Sequence, residues 1–322
     1  MSKHLLKSNP CLIRSIRVPL IYYKTKIMKT TFKDYFTLHF VVLIFGFTAI
    51  LGQLISIHTL GLVFFRTFLA TIGFYIYFKI KGLSIEIDTK GKLQLLATGG
   101  IVIALHWFTF FYSAKVSTIA ISLVGLSTTS LWTSFIEPLW NKKRIQPLQV
   151  IIGIVVVFAL YFIFLSEFNH IWGLLLSIIC AILGAIFSVL NGQFAQKYPS
   201  QIITFYEMLG VAISTAFPIL YILISGNTNI VVIPQGLDWL WILILAFACT
   251  IYAYTESVSL VRIFSAYTFN LTLNLEPVYG IILAYVVFGE KERMTSGFYI
   301  GTLVILGTVL IYPILQKPTY EI

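Results

Sequence analysis

Apolar runs of about 20 residues recur along nearly the whole chain, at 36–54, 59–80, 93–114, 118–140, 146–165, 171–194, 201–225, 238–258, 264–288 and 296–315. Each is long enough to cross ~30 Å of hydrocarbon as a helix rising ~1.5 Å per residue. Within lipid a spanning segment must satisfy its own backbone hydrogen bonds, so helices are the expected elements throughout. With 58% hydrophobic and 11% charged residues, composition excludes an ordinary soluble domain. The longest internal connection, residues 226–237, leaves no room for one.

The chain carries a formal net charge of +10, and its placement argues against a nucleic-acid partner. Lys3, Lys7, Arg14, Arg17, Lys24, Lys26, Lys29 and Lys33 precede the first run, and alternate connections carry Lys79, Lys81, Lys90, Lys92, Lys142, Lys143, Arg144, Lys197 and Arg262. The connections between them hold only Lys115, Lys291 and Arg293. This asymmetry is the positive-inside pattern, and it places both termini in the cytoplasm of a multi-pass protein of the cell (inner) membrane. Residues 1–33 form a basic cytoplasmic segment with no signal-peptide core, either lying on anionic lipid or preceding a true start at Met28. Cys11, Cys180 and Cys249 have no metal-ligand spacing and read as small buried side chains.

The ten runs divide into two sets of five, at 34–165 and 166–322. Leu51-Gly52-Gln53 closing the first run is echoed by Asn191-Gly192-Gln193 closing the sixth. Arg66 then aligns with Glu207, and Gly153 with Gly301. Because five is odd, the second half enters the membrane in the opposite sense. The expected fold is therefore all-α, ten transmembrane helices in two inverted five-helix repeats, with a solute site between the halves.

Polar residues inside the runs mark where that site falls, since a charge at the bilayer centre costs roughly 2.5–3.5 kcal/mol and normally faces a protein interior or cavity. The ninth run holds Asn270, Asn274, Glu276 and Pro277. On an ideal helix Asn270, Asn274 and Pro277 share one face, with Glu276 nearly opposite. Pro277 removes a backbone donor and frees the carbonyl of Leu273, making it the expected hinge. Glu276 is expected to bind a cationic group or a proton; Arg66 is expected to hold an anionic group, to gate the outer mouth or to anchor the outer ends of neighbouring helices. Glu207 is a candidate coupling group, and repeat equivalence sets it at a different depth from Arg66, so a direct ion pair is not expected. His106 is a candidate relay, and Trp107 and Tyr267 are candidates for an aromatic lining. Glu137-Pro138 imitates Glu276-Pro277 but lies at a helix end and reads as structural. Gly297 and Gly301 suit close helix packing, within the protomer or in a homodimer.

Phe65-Arg66 through Ala70 resembles the arginine motif of the EamA-like family of drug/metabolite transporters. The run Ser265-Ala266, Asn270, Asn274-Leu275-Glu276-Pro277-Val278-Tyr279-Gly280 and Phe288-Gly289-Glu290-Lys291-Glu292 is similar to that family's ninth helix and the loop after it. The resemblance covers Asp34 to Pro313. The first half departs from it with Asn141-Lys142-Lys143-Arg144, where many members have a Gly-Glu pair. What the resemblance implies is a carrier with a central cavity that moves small metabolites, often outward, by alternating access. The resemblance does not name the solute, for which an amino-acid-like or other polar organic molecule is the expectation; no cofactor is expected, and proton or ion coupling stays open. No phosphate-binding Lys-Ser/Thr loop is present, so an ion or solute gradient would supply the energy. The alternative from another class is an intramembrane enzyme acting on a lipid or lipid-linked substrate.

Overall fold

The computed structural model describes residues 30–166, 168–226 and 229–315. The expectations for Met28, Cys11 and the basic arm as far as Lys29 lie outside the described residues. Among these residues the chain is all-helical, with no strand. The helices are α1 (Phe32–Leu54), α2 (Thr59–Lys81), α3 (Thr89–Ala97), α4 (Ala104–Val116), α5 (Ile119–Leu126), α6 (Thr129–Trp140) and α7 (Pro147–Ser166). The second half gives α8 (Ile171–Phe194), α9 (Ser200–Ile224), α10 (Asp238–Ile244), α11 (Ala253–Ile263), α12 (Ala266–Leu273), α13 (Glu276–Phe288) and α14 (Ser296–Leu315). A π-helical segment, Thr98–Ile103, joins α3 to α4, and another, Leu245–Tyr252, joins α10 to α11.

Eight continuous or nearly continuous helices are long and apolar enough to cross a membrane. The expectation of ten is met only in part. The fifth and tenth runs fold as α7 and α14, each 20 residues long, whose apolar stretches among the described residues are Pro147–Ile163 and Ser296–Tyr312. Outward faces carry exposed Phe158, Phe162, Phe217, Ile224 and Leu303, as lipid contact requires.

Local sequence explains the helix ends. Thr31 and Asp34 form a reciprocal capping box at the start of α1. Asp88, Thr118 and Ser265 cap α3, α5 and α12 with their side chains. The fourth and ninth runs each break in the middle, at Ser127–Thr128 and at Asn274–Leu275. Pro277 was expected to break a continuous helix. Instead α12 has already ended at Leu273, and Pro277 lies in the first turn of α13. A missing donor costs little there, because first-turn N–H groups have no intrahelical partner.

Helices pack in a pattern that brings sequence-distant elements together: α2 on α9, α4 on α8, α7 on α14, α1 on α13, and the first π-segment on α9. Glycines set the closest approaches. A Cβ on Gly301 would fall 2.5 Å from Ile163 Cγ1, so this glycine serves the α7–α14 contact within the protomer.

Candidate functional site

The elements converge on an internal cavity of ≈ 90 Å³. A water needs roughly 10–15 Å³ of such volume, so there is room for several waters or a small solute. Its wall draws Thr48 from α1, Arg66 from α2, His106 and Trp107 from α4, Ser127 and Thr129 beside the first helix break, and Phe187 from α8. Tyr254, Asn270, Asn274, Glu276 and Pro277 complete it from the second half. Of the residues singled out from sequence, Arg66, His106, Trp107, Asn270, Asn274, Glu276 and Pro277 meet here.

Arg66 is 2% exposed. Its Nε donates to Thr250 Oγ1 at 2.6 Å, and its Cζ lies 4.0 Å from the Trp107 ring centroid. That stacking is worth about 2 kcal/mol when desolvated. Nη1 has no partner among the described residues. Arg66 and Glu207 form no ion pair with each other.

The chain break at Asn274 changes the geometry of the ninth run. Asn274 and Glu276 were expected on opposite faces, yet both line the cavity. A helical projection fails across a turn, because 100° per residue applies only within one continuous helix. Asn270 Nδ2 donates to Thr133 Oγ1 at 2.9 Å, and its Oδ1 accepts from Ser188 at 3.2 Å. Asn274 Nδ2 donates to Ser130 Oγ at 3.0 Å, while its Oδ1 is left bare. Glu276 is 5% exposed and has no hydrogen-bond or ion-pair partner among the described residues.

His106 Nδ1 lies 2.8 Å from the carbonyl oxygen of Cys180. A carbonyl can only accept, so Nδ1 carries the proton and a neutral ring keeps Nε2 as its acceptor. Cys180 in turn donates from Sγ to the His106 carbonyl oxygen. Cys180 and Cys249 are both buried and free, as expected of structural cysteines.

Two sequence candidates stand apart from the cavity. Glu207 is fully buried behind Tyr254, whose hydroxyl donates to its Oε2 at 2.9 Å. Asn191 Nδ2 donates to that hydroxyl at 3.0 Å and, more distantly, to Glu207 Oε2 at 3.4 Å. Tyr254 itself lines the cavity and packs edge-on against Trp107. Tyr267, in the first turn of α12, packs away from the cavity lining in a buried cluster with Ile152, Leu271 and Tyr312, its ring 4.8 Å from that of Tyr312. Glu137 holds this turn by accepting from the backbone N–H of Tyr267 at 2.7 Å, a structural role. Sequence reading assigned Asn191 only a repeat echo and passed over Thr250 and Thr48. Intramembrane threonines are too common to single out one without its neighbours.

Fold and site together define a multi-pass helical membrane protein with a partly polar cavity among its helices. Residues 171–312 match the model of the EamA-like transporter family, part of the drug/metabolite transporter superfamily. The fold is similar to that of a solved crystal structure with a TM-score of 0.66 at 14% identity, over 89% of this chain and 99% of the other. At that identity the likeness concerns the fold alone. No curated protein matches the sequence.

Proposed function

We propose that this protein is a secondary transporter that carries a small polar organic solute across the cytoplasmic membrane by alternating access between two inverted five-helix halves. The observation that carries the reading is the cavity, lined by helices of both halves and furnished with Arg66 and Glu276. Export is the direction implied by the family resemblance.

Internal symmetry supports the inverted repeat. One shift of 147 residues carries the cap Thr118 to the cap Ser265, Ile119 at the start of α5 to Ala266 at the start of α12, and the break Ser127–Thr128 to Asn274–Leu275. The same shift carries Thr98, where the first π-segment begins, to Leu245, where the second begins. It pairs Glu276 with Thr129, one residue on from the Gly153–Gly301 register, and both line the cavity. The two ends of the bundle are latched alike. Asp88, capping α3, accepts from the Tyr198 hydroxyl in the α8–α9 turn at 2.5 Å. Asp238, opening α10, accepts from Ser56 N and Oγ in the α1–α2 turn, each at 2.8 Å. Each latch ties one half to a turn of the other. A rocking carrier needs such a contact at each face, one to release at a time.

Flux measured in vesicles containing only this protein tests the reading. Saturable, gradient-sensitive movement of a labelled metabolite is expected, and product formation without flux would favour an enzyme. For topology, reporters fused before Asp34 and after Pro313 should both register the cytoplasm, and a tag in residues 226–237 the outside. Opposite locations for the two termini would remove the ten-span inverted arrangement.

A further inference from the structure

Three helices run from the cavity wall toward the face that is poor in cations: α1 from Thr48, α2 from Arg66 and α4 from Trp107. About two helical turns on, α1 and α2 meet in the turn Ile55–His58, and α4 ends at Val116. The side chains of this turn alternate. Ile55 and Ile57 are buried in the main core with Leu62 and Phe111, while Ser56 is exposed. Gly52 lets the Phe111 ring close this layer, since a Cβ there would fall 2.3 Å from Phe111 Cδ1. Arg66 Cζ lies 5.8 Å from the centroid of the same ring, so the layer begins at the cavity wall. An apolar plug therefore stands between the cavity and that face.

Polar contacts hold the plug from two sides, and they differ in kind. Lys115, in the last turn of α4, donates from Nζ to the carbonyl oxygens of Ile55, at 3.3 Å, and of Ile57. Carbonyls at and beyond a helix end have no intrahelical donor, and Ile55 caps α1. Of the cations on this face, Lys291 and Arg293 are exposed, whereas Lys115 is half-buried. Lys115 and the turn belong to the same half of the chain. The remaining contacts cross to the other half: Ser56 N and Oγ donate to Asp238, and His58 N donates to the Val231 carbonyl at 2.7 Å. Gly61 lets that second-half segment dock, since a Cβ there would fall 2.2 Å from Val232 O. A relative movement of the halves breaks the second set of bonds and leaves the first intact.

We propose, resting on the carrier reading of this cavity, that the turn Ile55–His58 is the outer gate of the solute path. Asp238 and the Val231 carbonyl lock it to the second half, and Lys115 is a positioning residue that keeps it fastened to the first as the halves part. The three donors of one ammonium let Lys115 hold two carbonyls at once. The gate then opens by parting one polar seam, with the plug carried along as a rigid piece of its own half. No change in the charge of a cavity group is needed for it.

The test is labelling of a Thr48→Cys reporter in the cavity wall by a membrane-impermeant methanethiosulfonate. The reagent is applied to right-side-out and to inside-out vesicles, with the protein lacking the reporter as the blank for its native cysteines. Asp238→Asn weakens the seam between the halves and should raise labelling from outside about tenfold while lowering it from inside. Lys115→Met frees the plug from its own half, so labelling from outside should rise and labelling from inside should stay the same. Lys115→Arg keeps donors for both carbonyls and should label as the unmodified reporter does. Ser56→Ala removes one bond of the seam at an exposed position. It should raise outside labelling several-fold, which keeps the test decisive if Asp238→Asn fails to fold. Unchanged labelling in Asp238→Asn, Ser56→Ala and Lys115→Met overturns the proposal, and so does an equal rise from both sides, the mark of general loosening. These readouts need no known solute and stand apart from vesicle flux, whose absence in the wild type would remove the carrier reading itself.

Discussion

Replacing Gly99 by alanine tests the packing that holds the two halves together. Gly99 lies in the π-segment between α3 and α4, and a Cβ there would meet α9 backbone: 2.1 Å from Glu207 O and 2.7 Å from Glu207 C and Cα. Ordinary contact begins at 3.4 Å, so the helices must separate by about 1 Å. No flexible side chain can absorb this, because every near atom belongs to a helical backbone. Overpacking of this kind costs about 1–3 kcal/mol, and a backbone obstacle points to the upper part of that range. The displacement also pulls Glu207 from the 2.9 Å contact with Tyr254, which lines the cavity. Gly99→Ala should therefore lower Tm by several degrees in detergent and reduce flux in vesicles. Gly307→Ala is the control, since a Cβ there meets nothing within 4 Å. It should be neutral, or stabilising by up to ~1 kcal/mol through helix propensity. If the two variants melt alike, the close approach of the first π-segment to α9 is wrong.

The latch at the basic end should show its own pH dependence. The Tyr198 hydroxyl, desolvated and bonded to Asp88, is pushed up to about 12, while that bond and the Gly91 N–H hold Asp88 below the usual carboxylate range. A raised tyrosine contributes stability that is intact below its unfolded value of ~10 and lost as pH climbs from there to about 12. The depressed aspartate contributes stability that is present above its unfolded value of ~3.9 and lost as pH falls through its lower folded value. Tyr198→Phe should flatten both limbs relative to wild type in circular-dichroism melts across pH; identical profiles would refute the latch. Thr250→Ala removes the hydroxyl that accepts from Arg66 Nε and should cost about 1–3 kcal/mol, as expected when a buried charged donor is left unpaired. Thr250→Ser keeps the hydroxyl and should melt close to wild type; equal losses in the two variants would mean that the bond contributes nothing.

The polar residues of the ninth run were legible because lipid tolerates so few of them, and Arg66, His106 and Trp107 were legible for the same reason. Tyr267 misled because an aromatic residue suits a cavity wall and a helix–helix contact equally well, and nothing local distinguishes the two. Glu276 was expected opposite Asn274 because its angle was projected along a helix that ends at Leu273. Thr250 and Asn191 matter through partners on other helices, 184 and 16 residues away along the chain.

Hydrophobic length and charge asymmetry by themselves determined that this chain forms helices in a membrane, and which side chains are too polar to face lipid. Those are one-dimensional properties, fixed by the cost of exposing backbone and charge to hydrocarbon. Only the tertiary structure decided that the ninth run breaks before its proline, that Arg66 stacks on Trp107 without an acidic partner, and that Arg66 and Glu276 face one cavity. Helical periodicity gives the direction of a side chain about its own axis. What stands opposite depends on how closely glycine-lined helices approach and where each helix ends.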